Sequence, residues 1–154
     1  MPTFTIQDVS RRSGLSEPTL RYYEDVGLIG PIDRDERSGH RRYGEADLHT
    51  LEALACLRAV GLSIEEMRTY QANLAHRQTA AGEQRDLLLR HAERIEAEIV
   101  AQHARLGYLR AKAELWDARE RGDAEAEAAA MRRAMDAAGS LAVGSLPVGS
   151  LGAL

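Results

Sequence analysis

The chain has 154 residues, of which 44% are hydrophobic and 29% charged, a composition typical of globular proteins. Twenty basic and 24 acidic residues leave a formal net charge of −4. A single cysteine excludes an intrachain disulfide framework and argues against a four-ligand structural zinc site. There is no run of 18 apolar residues and no secretory leader, so we expect a cytoplasmic protein without a membrane segment.

Four parts are predicted along the chain. Residues 1–77 hold the only phenylalanine and four of the five tyrosines, as expected for a packed head. Residues 83–121 contain no proline and one glycine, which predicts a long helix. A short helix is predicted over 122–137. Residues 138–154 repeat a Gly-Ser-Leu phrase, and this low complexity predicts a disordered tail.

The first two helices are predicted over 6–13 and 17–26. Thr5 and Ser16 precede them as N-caps, and Gly14 permits a tight turn between them. Two helices joined in this way are typical of a helix-turn-helix. Its small core is predicted to consist of Val9, Leu15 and Leu20.

A β-hairpin and two more helices are predicted next. The apolar run 28–32 and the segment 41–43 flank a polar turn, which indicates a hairpin and hence a winged helix-turn-helix. A third helix is predicted over 45–60, and Ser63 begins a fourth, with Glu66 completing a capping box.

An apolar stripe with alternating steps of four and three residues runs along the long helix. Such spacing is typical of a coiled-coil seam, here roughly 42 Å long. The head is too small to cover it, so we expect a homodimer; the alternative is an intramolecular hairpin with 123–137, which is too short to cover the stripe. The stripe consists of Leu88, Ala92, Ile95, Ile99, Gln102, Leu106, Leu109, Ala113 and Trp116.

Several motifs resemble the MerR family of transcription regulators. These are Leu-Arg-Tyr-Tyr-Glu at 20–24, Gly-Leu-Ile at 27–29, Arg-Arg-Tyr at 41–43 and Gly-Leu-Ser at 61–63. The resemblance covers about residues 4–120. It implies a mainly α fold, with a winged helix-turn-helix head and an antiparallel coiled-coil dimer. It also implies binding to an inverted repeat in a long-spacer promoter and distortion of that DNA for RNA polymerase.

The resemblance also implies which residues contact DNA. Arg21 and Tyr22 would face the major groove, where arginine bonds bidentately to guanine. Tyr23 would reach a phosphate or pack inside. The remaining implied contacts are Arg41 and Tyr43 on the wing, Arg42, which strand alternation could turn away, and Arg58 at the end of helix three.

Charge counts do not support DNA binding by themselves. Between positions 11 and 58 there are eight arginines and nine acidic residues, so the head carries no net positive charge. Binding must therefore depend on how the arginines segregate onto one face.

The effector is open at this point. No cysteine follows position 56, which disfavours the metal-sensing branch of the family, and the short C-terminal part disfavours a large ligand domain. A narrower subgroup, with one cysteine on helix three, is linked to aldehydes, other electrophiles or nitrosative stress. Cys56 falls at that position, as a sensor or as an inert packing residue.

Three further interpretations remain. A non-covalent organic ligand could act near Tyr70, Tyr108 or Trp116 while Cys56 stays structural. A coiled-coil interaction module without DNA function is the second, and the Arg21-Tyr22 block argues against it. An enzyme is the third, and it is disfavoured because no phosphate loop, metal cluster or nucleophile elbow is present. No cofactor or metal is expected.

Overall fold

The computed structural model describes residues 1–141, which form six helices and one small hairpin. The helices are α1 (Ile6–Ser13), α2 (Glu17–Asp25), α3 (Glu45–Ala59), α4 (Ile64–Leu74), α5 (Ala81–Arg121) and α6 (Ala124–Gly139). The strands β1 (Asp33–Arg34) and β2 (Arg41–Arg42) pair antiparallel between α2 and α3. The expected mainly α architecture with a winged helix-turn-helix and a long helix is confirmed. No helix among these residues is both long and apolar enough to cross a bilayer.

The helix starts follow from local side-chain chemistry. Thr5 and Asp8 form a capping box at α1, in which each side chain bonds to the other's backbone N–H. Ser16 accepts from the Thr19 N–H at the start of α2. Ser63 and Glu66 form the predicted box at α4. These caps satisfy backbone donors that a helix N-terminus leaves without partners.

The prediction of a strand over 28–32 is wrong. The N–H groups of Leu28 and Ile29 donate to the Tyr23 carbonyl at the end of α2, so they are not available to a sheet. Pro31 has no N–H to donate. The side chains of Leu28 and Ile32 are buried in the core, and pairing begins only at Asp33.

The N-terminal segment adds a contact that the sequence did not indicate. Phe4 and Tyr43 exchange both backbone hydrogen bonds, at 2.8 and 2.9 Å. Two-residue strands are too short to be stable alone. This third backbone connection therefore ties the wing to the start of α1.

The chain forms two compact units. The first, called here the N-terminal unit, runs from Met1 to Leu89, beyond the predicted boundary at residue 77, and the second starts at Arg90. The first turns of α5 belong to the N-terminal unit because the Gln84 side chain bonds to the Tyr70 carbonyl and to Asn73. The core of this unit consists of Val9, Leu15, Leu20, Tyr23, Leu28, Ile29, Ile32, Tyr43, Leu48, Leu51, Leu54, Leu62 and Met67.

In the second unit, α6 folds back against the C-terminal part of α5. Buried residues on α5 are Ala111, Leu115 and Ala118, and those on α6 are Ala130, Ala134 and Ala138. Two ion pairs cross between the helices, Arg119–Glu127 at 2.6 Å and Arg133–Glu114 at 2.7 Å. The helical hairpin considered as an alternative for this part of the chain therefore forms.

This hairpin does not cover the apolar stripe. Ala111, Leu115 and Ala118 lie on the side of α5 opposite the stripe, given 3.6 residues per turn. Ile99 remains 50% exposed and Trp116 56% exposed. The predicted short helix ends at Gly139 rather than at 137, and most of the predicted tail, residues 142–154, lies outside the described residues.

Candidate nucleic-acid interface

Helix α2 presents a narrow exposed face to solvent. Leu20 and Tyr23 point into the core, whereas Pro18, Arg21 and Tyr22 lie on the opposite side. Tyr22 is 49% exposed, and Arg21 bonds to Glu17 one turn earlier at 3.2 Å. An exposed arginine beside an exposed tyrosine offers hydrogen-bond donors and an aromatic surface.

Arg58 joins this face from another helix. Its Nη1 donates to the Thr19 Oγ1 at 3.3 Å, which brings the last turn of α3 beside α2. Because this hydrogen bond is long and exposed, the guanidinium of Arg58 can exchange it for a contact with a ligand. Arg58 lies on α3 as predicted, but no local pattern indicates its contact with Thr19, since the two positions are 39 residues apart.

The wing is fastened to α2 by an ion pair. Arg41 Nε donates to Glu24 Oε2 at 2.9 Å, and the two side chains are only 18% and 15% exposed. The Glu24 hydrogen bond raises the pKa of the Arg41 guanidinium, so this arginine stays charged. The contact made by Glu24 could not be predicted from the sequence, because it exists only once β2 lies against α2.

The two wing arginines differ in accessibility in the opposite sense to the one expected. Arg41 is mostly enclosed by its bond to Glu24. The Arg42 side chain is 39% exposed and lies 3.7 Å from Asp35, a looser contact. Arg42 rather than Arg41 is therefore the more accessible of the two.

Two tyrosines expected near DNA lie inside the N-terminal unit. Tyr23 is 2% exposed and Tyr43 is fully buried, and neither hydroxyl has a hydrogen-bond partner in the described residues. Burial raises the pKa of both phenols, so both remain protonated. Tyr23 packs inside the unit, which is one of the two possibilities expected for it. The expected contact between Tyr43 and the DNA backbone is wrong, because the Tyr43 side chain points inward and is fully buried.

Several acidic side chains are occupied within the N-terminal unit. Glu24 holds Arg41, and Asp47 accepts from the Gly44 N–H at the start of α3. Asp35 accepts from the backbone N–H groups of Arg37 and Ser38, and these bonds lower the pKa of its carboxyl group. The ion pair offsets one carboxylate and one arginine together, and backbone N–H groups carry no charge, so these contacts leave the charge balance of the region unchanged.

Cys56 lies on the exposed side of α3. The buried positions of this helix are Leu48, Leu51 and Leu54, and a residue two places further on points to the opposite side. The alternative in which Cys56 packs in the core is therefore wrong. No group of three His, Cys, Asp or Glu side chains within residues 1–141 could hold a metal ion.

The chain is similar to known regulators over this region. The family model described as MerR HTH family regulatory protein matches residues 4–74. A protein named heavy metal-dependent transcription regulator 2, from Rhizobium meliloti, is 36% identical over 96 residues, which are 62% of this chain and 65% of that protein. The transcriptional regulator HmrR of Rhizobium leguminosarum is 38% identical over 61% of this chain and 71% of its own length. The chain thus spans just under two thirds of the first of these relatives.

A solved structure resembles the chain over a longer stretch. HiNmlR, described as a MerR family regulator lacking the sensor domain and bound to promoter DNA, has a TM-score of 0.63 and 26% identity. The match covers 82% of this chain and 96% of that one. The similarity therefore extends beyond the helix-turn-helix into the long helix.

Proposed function

Because this chain belongs to the MerR family of helix-turn-helix regulatory proteins, we propose that it is a dimeric transcription regulator that binds promoter DNA. The observation that carries this proposal is the exposed face of α2, where Arg21 and Tyr22 stand clear of the core. A helix with this face fits the major groove, where an arginine can bond bidentately to guanine. The likeness to HiNmlR, which is bound to promoter DNA, supports the same mode.

The supporting contacts fall on either side of α2. Arg58 is placed to meet a phosphate next to the groove, since its contact with Thr19 is exposed. On the wing, Arg42 takes the backbone contact, and the Arg41–Glu24 pair sets the distance between wing and α2. Contacts of this kind fix orientation on the duplex, while Arg21 reads the sequence.

The regulatory step follows the family pattern. A dimer with two such heads binds an inverted repeat, and distortion of an overlong promoter spacer lets RNA polymerase engage both promoter elements. Distorting DNA has an energetic cost that a change of protein conformation can supply or withdraw. Binding or reaction of the effector would cause that change of conformation.

An electrophile acting at Cys56 is the effector that the site supports best. The thiol is exposed on α3, two residues before Arg58, so a modification there lies close to the DNA-binding elements. With an aldehyde, sulfur bonds to the carbonyl carbon and the thiol proton passes to the carbonyl oxygen, which gives a hemithioacetal. Exposure and thiolate formation control such reactions.

Footprinting tests both the proposed DNA binding and the proposed response to an electrophile. The purified protein is incubated with the intergenic DNA beside its own gene, with and without formaldehyde or methylglyoxal. We expect protection of an inverted repeat, and a pattern that the electrophile changes in the native protein but not in Cys56→Ser. Ala53→Ser, on the same exposed side of α3, is the matched control and should respond like the native protein.

Two outcomes would contradict the proposal at different levels. Protection that ignores the electrophile, or a response retained in Cys56→Ser, would remove the cysteine sensor and point to a non-covalent ligand. No protection of any promoter fragment would contradict the DNA-binding function and favour an interaction module.

A further inference from the structure

The C-terminal end of α2 receives a hydrogen bond from another helix. On α4, the Arg68 Nη2 donates to the main-chain carbonyl oxygen of Val26, the residue that caps α2. The last carbonyl groups of a helix have no partner within that helix, so a basic side chain that reaches one of them supplies the missing donor. Because the two residues are 42 positions apart, this bond ties α4 to α2.

We propose that Arg68 is a positioning residue for DNA recognition. It holds the C-terminal end of α2 so that the Arg21 side chain meets the base pairs in the correct orientation. The inference rests on the proposed function, in which α2 enters the major groove and Arg21 reads the sequence. It adds a residue that acts on DNA binding through a backbone carbonyl of the recognition helix.

The charges in the last turn of α2 explain why this helix needs outside support. That turn contains Glu24 and Asp25 and no basic residue. A helix C-terminus carries a partial negative charge, so carboxylates there are unfavourable and a cation is favourable. Arg41 pairs with Glu24, and Arg68 brings a second guanidinium to the carbonyl end itself. Helix α2 therefore takes from α4 a stabilising contact that its own sequence does not provide.

Helix α4 is a fixed base for this contact. Met67, next to Arg68, is 2% exposed and belongs to the core of the N-terminal unit. Two residues after Arg68, the Tyr70 carbonyl accepts from the side chain of Gln84 on α5, which in turn accepts from Asn73. Binding side chains must be held to within about 0.5 Å, which requires supports that are themselves anchored. Arg68 satisfies this requirement.

Two arginines from other helices hold α2 near its two ends, and they differ in what DNA would do to them. Near the start, Arg58 donates to Thr19 in an exposed contact of 3.3 Å. At the end, Arg68 donates to Val26 in a half-buried contact. In the proposed complex Arg58 turns to a phosphate, so Arg68 is the arginine that continues to hold α2.

The second contact of the Arg68 guanidinium is weak. Its Nε lies 3.5 Å from Glu65 Oε1, and the Glu65 side chain is 85% exposed. Within residues 1–141 this Nε makes no hydrogen bond. Exposed ion pairs between positions three apart on a helix contribute little to stability. Replacing Arg68 therefore removes mainly the bond to Val26, which makes the residue suitable for substitution.

DNA titration of two full-chain variants tests the proposal. Arg68→Met removes the donors and the charge but keeps a long stem, whereas Arg68→Lys keeps a charge and a donor. Each variant is titrated with the footprinted promoter fragment and with unrelated DNA of the same length. Arg68→Met should bind the promoter site about tenfold more weakly and unrelated DNA as the native protein does, because base contacts depend on orientation more than phosphate contacts do. Arg68→Lys should regain most of the promoter affinity.

Hydrogen exchange of the free protein gives a readout that needs no DNA. In Arg68→Met, the backbone N–H groups in the last turn of α2 should exchange faster than in the native protein, because that end of the helix opens more often. Exchange in α1 and α3 should stay the same. Unchanged exchange in α2 would show that Arg68 does not hold it.

Arg77→Met is the matched control, since Arg77 is an exposed arginine in the turn after α4. It loses the same charge and should keep the native promoter affinity and exchange. If Arg68→Met does not fold, Arg68→Gln, which is too short to reach Val26, is judged by the same criteria.

Three outcomes would contradict parts of the proposal. Native promoter affinity in Arg68→Met would overturn it. An equal loss on promoter and unrelated DNA would also overturn it and make Arg68 a simple phosphate contact. A native protein that binds no promoter DNA would contradict the proposed function, and hydrogen exchange would then decide by itself whether Arg68 holds α2.

Discussion

The N-terminal unit buries most of its large apolar side chains, whereas α5 beyond residue 90 leaves many of its own exposed. In the N-terminal unit, thirteen residues form one buried cluster, and Val9, Leu51 and Leu54 have no exposed surface. On α5, Leu106 and Leu109 of the stripe stay 45% and 63% exposed. The first region completes its core by itself, whereas the stripe of the second stays exposed within one chain.

This difference separates two kinds of stability. Burial within the N-terminal unit is independent of protein concentration, because every contact lies in one chain. In the proposed dimer, the contribution of the stripe appears only when a second copy is bound, so it depends on concentration. Substitutions in the core should therefore lower the free energy of unfolding, whereas substitutions in the stripe should weaken dimerisation.

Leu51→Ala should have the largest effect. Removing a fully buried leucine from the core leaves a cavity and should reduce the free energy of unfolding by about 2–5 kcal/mol. Urea unfolding measures this loss. Leu74→Ala, at an exposed leucine of α4, is the control and should change stability much less. Equal losses would show that the core is not where the structure places it.

Ile99→Asp should break the dimer and leave the N-terminal unit folded. A carboxylate in an apolar interface must lose its water, which should weaken dimerisation on the order of 100-fold. Sedimentation at several concentrations measures this. Val100→Asp is the same kind of change at a neighbour that is 69% exposed and lies off the stripe. If Val100→Asp dissociates the dimer equally, the stripe is not the interface.

Arg21→Ala should reduce specific DNA binding by roughly 1–3 kcal/mol and leave stability nearly unchanged. The reason is that Arg21 lies on the exposed face of α2 and bonds only to Glu17 among the described residues. Gel shift on the protected DNA measures the affinity. Arg132→Ala, at an exposed arginine of α6, should bind like the native protein. Unchanged affinity in Arg21→Ala would remove this residue from base recognition.

Asp8→Asn should have the smallest effect, visible only in acid. Bonds from Thr5 lower the pKa of the Asp8 carboxyl group below its usual 3.8. The stabilisation from the ionised form is therefore complete above pH 3.8 and is lost as pH falls through the folded pKa. Thermal unfolding between pH 2 and 7 should show a shallower acid loss in Asp8→Asn. Asp136→Asn, at an exposed position in α6, should keep the native profile.

Local rules predicted the helices of the N-terminal unit well. Residues such as Thr5, Ser16 and Ser63 determine where a helix begins through bonds to donors within three residues, so sequence alone carries the information. The error over 28–32 has a nonlocal cause. An apolar run is compatible with a strand or with core packing, and the Tyr23 carbonyl decides between them by binding two N–H groups.

The candidate site was predictable in its residue types and less so in their roles. Helical spacing puts Leu20 and Tyr23 on one side of α2 and Arg21 on the other, so the exposed arginine follows from periodicity. The Arg41–Glu24 pair joins positions 17 apart, and no spacing rule predicts it. It reverses the expected accessibility of the two wing arginines.

The exposed thiol of Cys56 also makes this chain convenient to label. It is the only cysteine in the sequence, so a maleimide dye or spin label attaches at one place without any engineered residue. In a symmetric dimer, each labelled chain then carries a probe on α3, close to the proposed DNA-binding face of α2. The separation of the two probes, measured with and without DNA, would serve as a built-in ruler for movement of the two heads.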